Sequence, residues 1–111
     1  MAIRLTARES IDLELDLPPE ASAELCRDAL MGLGWEVSGS GDEIEAAEPA
    51  ERLCCVTWPV DLTITLTDGD AQMSRLTVQA TTPGRGPLQR RQLRDRLTQF
   101  RAALLDRAQK R

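Results

Sequence analysis

The sequence of 111 residues contains no histidine and no tyrosine. Without histidine, the chain lacks the commonest general base, the Ser-His and Cys-His catalytic arrangements, and the ligand of most catalytic metal sites. Lys110 is the only lysine, so a buried Schiff-base lysine is not expected. The glycine-rich stretches at 38–42 and 83–87 match no nucleotide-binding fingerprint. These absences predict that the protein is not an enzyme and holds no cofactor.

Aromatic residues are also scarce, since Trp35, Trp58 and Phe100 are the only three. The core must therefore consist mainly of Leu, Val, Ile and Ala. We expect both tryptophans in the core or in helix–sheet packing, with stacking on a ligand as the alternative. No segment approaches the ~20 consecutive apolar residues of a membrane helix. The first ten residues lack the continuous apolar region of a secretory signal. We therefore expect one cytoplasmic domain, residues 1–111, without a membrane span.

The sequence contains three cysteines, Cys26, Cys54 and Cys55. Because disulfides use cysteines in pairs, an odd number favours reduced thiols. A structural zinc ion takes four ligands, usually from CxxC-type pairs, and no histidine is present to complete such a set. A thiol nucleophile needs a neighbouring base or a depressed pKa. We predict small buried or edge-strand cysteines and no metal site.

Residues 11–17, IDLELDL, alternate apolar and acidic side chains. Such alternation predicts a half-buried strand, which we extend over the odd positions from Ile3 to Leu17. On that strand Asp12, Glu14 and Asp16 lie ~6.6–7 Å apart and project in parallel. A cation site would need converging oxygens, and an acid–base pair would need a desolvated cleft. We interpret these carboxylates as a solvated face, with partner contact, catalysis and metal binding as the alternatives.

The rest of the sequence predicts two helices and four further strands. Pro18-Pro19 ends the first strand and begins a helix over about 19–33, whose apolar face is Ala21, Leu25, Ala29 and Leu33, with Cys26 and Leu30 beside it. Strands follow at about 35–37, 43–46, 60–67 and 75–81, with a hairpin turn at 68–70. A helix over 87–109 carries the narrow apolar stripe Leu93, Leu97, Phe100 and Leu104.

The order β-α-β-β-β-β-α predicts an α+β fold: an antiparallel sheet of about five strands with both helices packed on one face. The order of the strands in the sheet stays open. The uncovered face should be polar and rich in threonine. Its candidate contact residues are Asp12, Glu14, Asp16, Thr63, Thr65 and Thr77.

Charge divides the chain into two halves. Residues 1–70 contain 16 acidic and 4 basic residues, whereas residues 71–111 contain 2 acidic and 10 basic residues. The arginines of the second half could contact an acidic partner, or pair with the acidic half of the same molecule. Nucleic acid is not the expected partner, because the clear strands offer no aromatic side chains for stacking. The candidate partner or anion contacts are Arg85, Arg90, Arg91, Arg94 and Arg101.

The segment PGRGP, residues 83–87, precedes the N-terminus of the second helix. Backbone N–H groups there could hold an anion with help from Arg85. The simpler interpretation is a connector that places Pro87 in the first turn of the helix.

Three stretches together are similar to small bacterial domains of uncharacterised function. They are IDLELDLPPEASAELCRDALMGLGWEV, CVTWPVDLTITLTDGD and SRLTVQATTPGRGPLQRRQLRDRLTQFRAALLDR. Their element order resembles one repeat of the TATA-box-binding-protein fold, or a shortened helix-grip domain. The first resemblance implies a sheet that contacts DNA, which the acidic face disfavours. The second implies a lipid-like ligand between sheet and helix.

We therefore expect a small non-enzymatic cytoplasmic interaction or accessory module. Its partner is either an unidentified protein or a second copy of the chain. The opposed charge halves favour antiparallel association that weakens with salt. The alternative is a module that binds a small apolar or lipid-like ligand between the C-terminal helix and the sheet.

Overall fold

The computed structural model describes residues 6–39, 43–48, 59–68, 73–83 and 87–110. Predictions for residues 1–5, Cys54, Cys55, Trp58 and Arg85 lie outside this part of the chain. The elements are, in order, β1 (Thr6–Leu15), α1 (Pro19–Gly32), β2 (Glu36–Ser38), β3 (Glu43–Ala47), β4 (Asp61–Asp68), β5 (Ser74–Pro83) and α2 (Pro87–Gln109). The predicted α+β fold and its element order are confirmed.

The five strands form one antiparallel sheet in the order β1-β5-β4-β3-β2. Strands β2 to β5 follow one another across the sheet, and β1 lies beside the last of them. The pairing of Asp68 with Ser74 confirms the hairpin between β4 and β5, although residues 69–72 of its turn are not among those described. The first strand therefore forms one edge of the sheet, and the three-residue β2 forms the other.

The core lies on one face of the sheet because the strands alternate apolar and polar residues. Leu62 and Ile64 of β4 and Leu76, Val78 and Ala80 of β5 are almost completely buried. Burying one such leucine, isoleucine or valine contributes about 1.5–3 kcal/mol relative to leaving it exposed. The intervening residues point to the opposite face, which neither helix covers in the described part of the chain.

Helix α2 covers β1 and β5, and α1 packs beside it over β2, β3 and β4. The predicted stripe of α2 is confirmed, since its buried residues are Leu93, Leu97, Phe100 and Leu104. These four side chains recur at helical spacing and therefore lie on the side of α2 that faces the sheet. The long C-terminal helix is thus held mainly by burial of one narrow stripe.

Helix α1 begins with Pro19 at its first position, as predicted, and Gly34 ends it. The N–H of Gly34 donates to the Met31 carbonyl at 3.0 Å, and the N–H of Trp35 donates to the Leu30 carbonyl at 3.0 Å. These two bonds form a Schellman motif, which needs a residue at positive φ; Gly34 has φ 87°. Trp35 is buried beyond the motif, so its predicted place in the core is confirmed.

The predicted apolar face of α1 is wrong at its N-terminal end, whereas Leu33 at the other end packs against the core as predicted. Ala21 and Leu33 are half-buried, whereas Ser22 and Ala23 are buried. The Ser22 hydroxyl donates to Ser74 Oγ at 2.9 Å, and the Ser74 hydroxyl donates to the Leu17 carbonyl at 2.5 Å. This buried chain joins α1 to the start of β5 and to the segment after β1, and it turns the first turn of the helix inward.

The first strand is shorter than predicted, because β1 ends at Leu15. Its partner β5 begins at Ser74, directly opposite Leu15, so the ladder has no partner for later residues. Asp16 is exposed but lies beyond the strand, and Leu17 is half-buried there. The predicted row of three carboxylates is therefore a row of two, Asp12 and Glu14.

Gly34→Ala should lower the free energy of unfolding by about 1–2 kcal/mol, because alanine is strained in the left-handed conformation. The matched control is Gly32→Ala, in the last turn of α1, where a Cβ would meet only the flexible guanidinium of Arg107. Arg107 can move aside, and alanine favours helix, so this variant should be unchanged or more stable by up to ~1 kcal/mol. Urea unfolding of both variants measures the difference; equal effects would contradict the Schellman assignment.

Candidate functional site

The open face of the sheet carries most of the residues that the sequence singles out. Asp12 of β1 lies opposite Thr77 of β5, which lies opposite Thr65 of β4, which lies opposite Glu43 of β3. This row therefore crosses four strands, and all four residues are exposed. The predicted open face is thus assembled as expected, with Thr63 in the next row and Asp16 outside it.

Contacts between neighbouring strands hold the two β1 carboxylates in place. The Thr77 hydroxyl donates to Asp12 Oδ1 at 3.0 Å. Arg75 Nε lies 3.3 Å from Glu14 Oε1, and both side chains are more than half exposed. Exposed pairs of this kind contribute no more than about 1 kcal/mol. They orient the carboxylates at the edge of the sheet without burying them.

Two depressions lie between the rows of side chains on this face. One, of about 470 Å³, is lined by Asp12, Glu14, Thr67, Arg75 and Thr77 together with Leu13 and Leu76. The other, of about 370 Å³, crosses β2 to β5 near Ser38, Glu45, Asp61, Thr63 and Thr81. Both are broad and open, and charged and hydroxyl-bearing side chains form much of their walls. Their geometry suits contact with a polar surface better than enclosure of an apolar ligand.

The described residues contain no group of three His, Cys, Asp or Glu side chains that could hold a metal ion. Asp12 and Glu14 stand in parallel on the strand rather than around a common point. Neither carboxylate lies in a dry cleft, which an acid–base role at neutral pH requires. The described part of this face therefore presents charge and hydrogen-bonding groups to the solvent.

The arginines of α2 differ in whether they pair with a carboxylate of the same molecule. Arg94 Nε lies 3.4 Å from Glu9 Oε1 of β1, so one predicted partner contact is engaged within the molecule. Arg90, Arg91 and Arg101 are exposed on the same helix. Glu9 was not among the predicted residues. Odd-numbered residues of β1 face the helices, so Glu9 was predictably on the same side of the sheet as the arginine-rich α2. That signal could have identified the pair.

Arg96 makes the most buried ion pair in the described part of the chain. Its Nε donates to Glu48 Oε2 at 2.6 Å, and the Glu48 side chain is only 9% exposed. The backbone N–H of Glu48 donates to the Val60 carbonyl, which fixes the glutamate just beyond β3. Glu48 Oε1 is buried and has no hydrogen-bond partner among the described residues. The pair therefore links α2 to the segment that follows β3, and the burial of its charges carries a substantial desolvation cost.

Cys26 is fully buried in α1, in agreement with its predicted role as a small core residue. Burial raises the pKa of its thiol from the ordinary 9.0 to about 12, although the charge of Arg27 acts in the opposite direction. A thiol with a raised pKa is neutral at physiological pH and is a poor nucleophile. Cys26 therefore contributes packing rather than chemistry.

Neither described helix is long and apolar enough to cross a membrane.

The stripe of α2 and the apolar residues of β5 fill the space between that helix and the sheet with buried side chains. The surface available to a partner in the described chain is therefore the open face, the edges of the sheet and the outer sides of the helices.

Arg96→Ala should lower the free energy of unfolding by about 2–4 kcal/mol, because Glu48 would be left buried without its counter-charge. The matched control is Arg94→Ala: the Arg94 side chain is 69% exposed and Glu9 is 27% exposed, so the loss of this pair should cost no more than about 1 kcal/mol. Chemical denaturation of both variants separates the two cases. Equal losses would show that Glu48 does not depend on Arg96.

Cys26 should resist alkylation by iodoacetamide in the folded protein and react once the chain is unfolded. The folded thiol keeps its proton to about pH 12, whereas the unfolded thiol ionises near its ordinary pKa of 9.0. Stability should therefore fall as pH rises through this window, and Cys26→Ala should remove that part of the slope. Mass spectrometry of the tryptic peptide and denaturation at several pH values test both; rapid labelling of the folded protein would contradict burial.

Comparison with known proteins supports the fold. No protein-family profile matches the chain, and no curated protein matches its sequence. The chain is similar to the crystal structure of the protein TTHA0849 from Thermus thermophilus, with a TM-score of 0.50 and 12% sequence identity. The match covers 94% of this chain and 98% of that chain. A likeness at this level of identity concerns the fold alone, so the two proteins share an architecture.

Proposed function

We propose that this protein is a small non-enzymatic interaction module that self-associates through its sheet. The observation that carries the proposal is the unequal cover of that sheet: one face lies under two helices, and the other is polar and open. A polar face with the hydroxyls of Thr65 and Thr77 and the carboxylates of Asp12 and Glu14 is suited to hydrogen bonds and ion pairs with another protein surface.

Charge supports a protein partner rather than nucleic acid. The described residues of the open face include two basic side chains, Arg8 and Arg75, and six acidic ones: Asp12, Glu14, Glu36, Glu43, Glu45 and Asp61. Such a face repels phosphates. The basic helix α2 is partly neutralised, because Arg94 and Arg96 pair with glutamates of the same chain.

The proposal also covers the resemblance of the fold and the cellular compartment. The strand order, with a long C-terminal helix across the sheet, supports the resemblance to one TATA-box-binding-protein-like repeat or to a shortened bacterial helix-grip domain. The unpaired thiol of Cys26 supports a reducing compartment, the cytoplasm. The alternative function, an apolar ligand held between α2 and the sheet, stays a prediction without a specific observation in its favour.

Sedimentation velocity tests the proposal. At ~0.05 M salt the protein should form a dimer, and the dissociation constant should rise about tenfold by ~0.5 M salt, because exposed ion pairs are screened. Arg101→Glu, on the exposed side of α2, should leave the dissociation constant unchanged. A strict monomer at low salt and high concentration would contradict self-association, and strong weakening by Arg101→Glu would assign it to the helix instead of the sheet.

A further inference from the structure

The outer edge of β1 has an unusual combination of length and exposure. Strand β1 runs for ten residues, contains neither proline nor glycine, and pairs with β5 without interruption. No strand in the described part of the chain pairs with its other side. Proteins usually protect such an edge with a bulge, a proline or a very short strand. The opposite edge of the sheet follows that rule, because β2 has only three residues.

Helix α2 covers the apolar side of β1 incompletely, because Ala7 and Leu15 are buried but the residues between them are less so. Val78 and Leu76 of β5 are 0% and 1% exposed, yet their cross-strand neighbours Ile11 and Leu13 of β1 are only partly buried. The charged residue on this side of β1, Glu9, is compensated by Arg94. Two apolar side chains on the edge strand are thus available for further burial by a strand placed beside β1.

On the basis of the self-association proposed above, we infer that β1 pairs antiparallel with β1 of a second copy, around a two-fold axis at Ile11. This register places Arg8 opposite Glu14 of the second copy, and Ser10 opposite Asp12 of the second copy. Each contact occurs twice because the axis repeats it. Directly opposite side chains of antiparallel strands lie about 4.5–5.5 Å apart at Cβ, close enough for these pairs. The two sheets then form one sheet of ten strands.

Arg8 is well placed for the contact. It is exposed on the open face, opposite Thr81 of β5, and no carboxylate among the described residues pairs with it. Glu14 is held on the same face by Arg75 and remains more than half exposed, so it can accept a second cation. On the other face, the same register brings the two Ile11 side chains together at the axis, where they bury apolar surface.

Competing arrangements match the charges less well. Two open faces stacked on each other would oppose two predominantly acidic surfaces, which is unfavourable. A register with Asp12 at the axis would oppose two like charges. A register with Ser10 at the axis would pair Arg8 with Asp12, but it would leave Glu14 opposite Thr6 and Ile11 opposite Glu9. The Ile11 register also places one apolar residue, Leu13, opposite Glu9, so the two registers differ in the carboxylates they engage and in the Ile11 pair at the axis. The Ile11 register alone among these engages both carboxylates and keeps an apolar pair at the centre.

Charge exchange tests this register. Arg8→Glu and Glu14→Arg should each raise the dissociation constant of the dimer about tenfold, because each creates two like-charge pairs across the axis. The double variant Arg8→Glu/Glu14→Arg should restore it to within about threefold of the unmodified protein, since the ion pairs re-form with reversed sign. The combination Arg8→Glu/Asp12→Arg should not restore it. Sedimentation velocity at low salt, with circular dichroism to verify folding, provides the measurement.

Glu45→Arg is the matched control. Glu45 is an exposed glutamate on the same face, but it lies on β3, three strands and about 14 Å from β1. This variant should leave the dissociation constant unchanged. Two results would overturn the β1 register while leaving self-association through the sheet in place. One is a dimer that Glu45→Arg weakens. The other is recovery of the Arg8→Glu dimer by Asp12→Arg and not by Glu14→Arg. A monomer under all conditions would overturn both.

Discussion

Burial of the α2 stripe against one face of the sheet is the interaction on which the rest of the structure depends. Leu93, Leu97, Phe100 and Leu104 of α2 meet the inward side chains of a sheet whose strands alternate at period two. Because the same strands must place every second residue on the opposite side, covering one face fixes the polar character of the other. The candidate interaction surface is therefore a direct consequence of how the core is built.

That relation explains which features the sequence could predict. Period-two alternation predicted the strands and the open face with Asp12, Glu14, Thr65 and Thr77, and helical spacing predicted all four buried residues of α2. The sequence also predicted that α1 begins at Pro19, because the fixed φ of proline suits the first turn of a helix. These predictions rest on local periodicity or local backbone conformation, which are properties of neighbouring residues.

Long-range partners account for what the sequence could not predict. The position of β1 beside β5 decides where its ladder stops, and it removes Asp16 from the predicted row. The inward rotation of Ser22 depends on Ser74, which lies 52 residues away in sequence. The pairing of Arg96 with Glu48 likewise joins residues that lie 48 positions apart in sequence. Charge composition left open whether the arginines contact an acidic partner or the acidic half of the same molecule, and it could not identify the individual pairs.

The functional proposal follows from the same asymmetry. A small sheet with helices on one side has two ways to meet a partner: through its open face or through its edges. The acidic character of the face opposes stacking of two copies, whereas the long edge of β1 combines opposite charges with partly covered apolar residues. Strand β1 therefore has two roles in this proposal: one of its sides pairs with β5 within the fold, and its other side is available to a partner.

Solvent accessibility of individual side chains tests the central claim, that the sheet has one wet and one dry face, most directly. NMR spectra recorded with a soluble paramagnetic agent report which protons solvent can approach. The structure predicts strong relaxation for Asp12, Glu14, Thr65 and Thr77, and weak relaxation for Leu76, Val78 and Phe100. Similar relaxation of both sets, measured on monomeric protein at high salt, would contradict it.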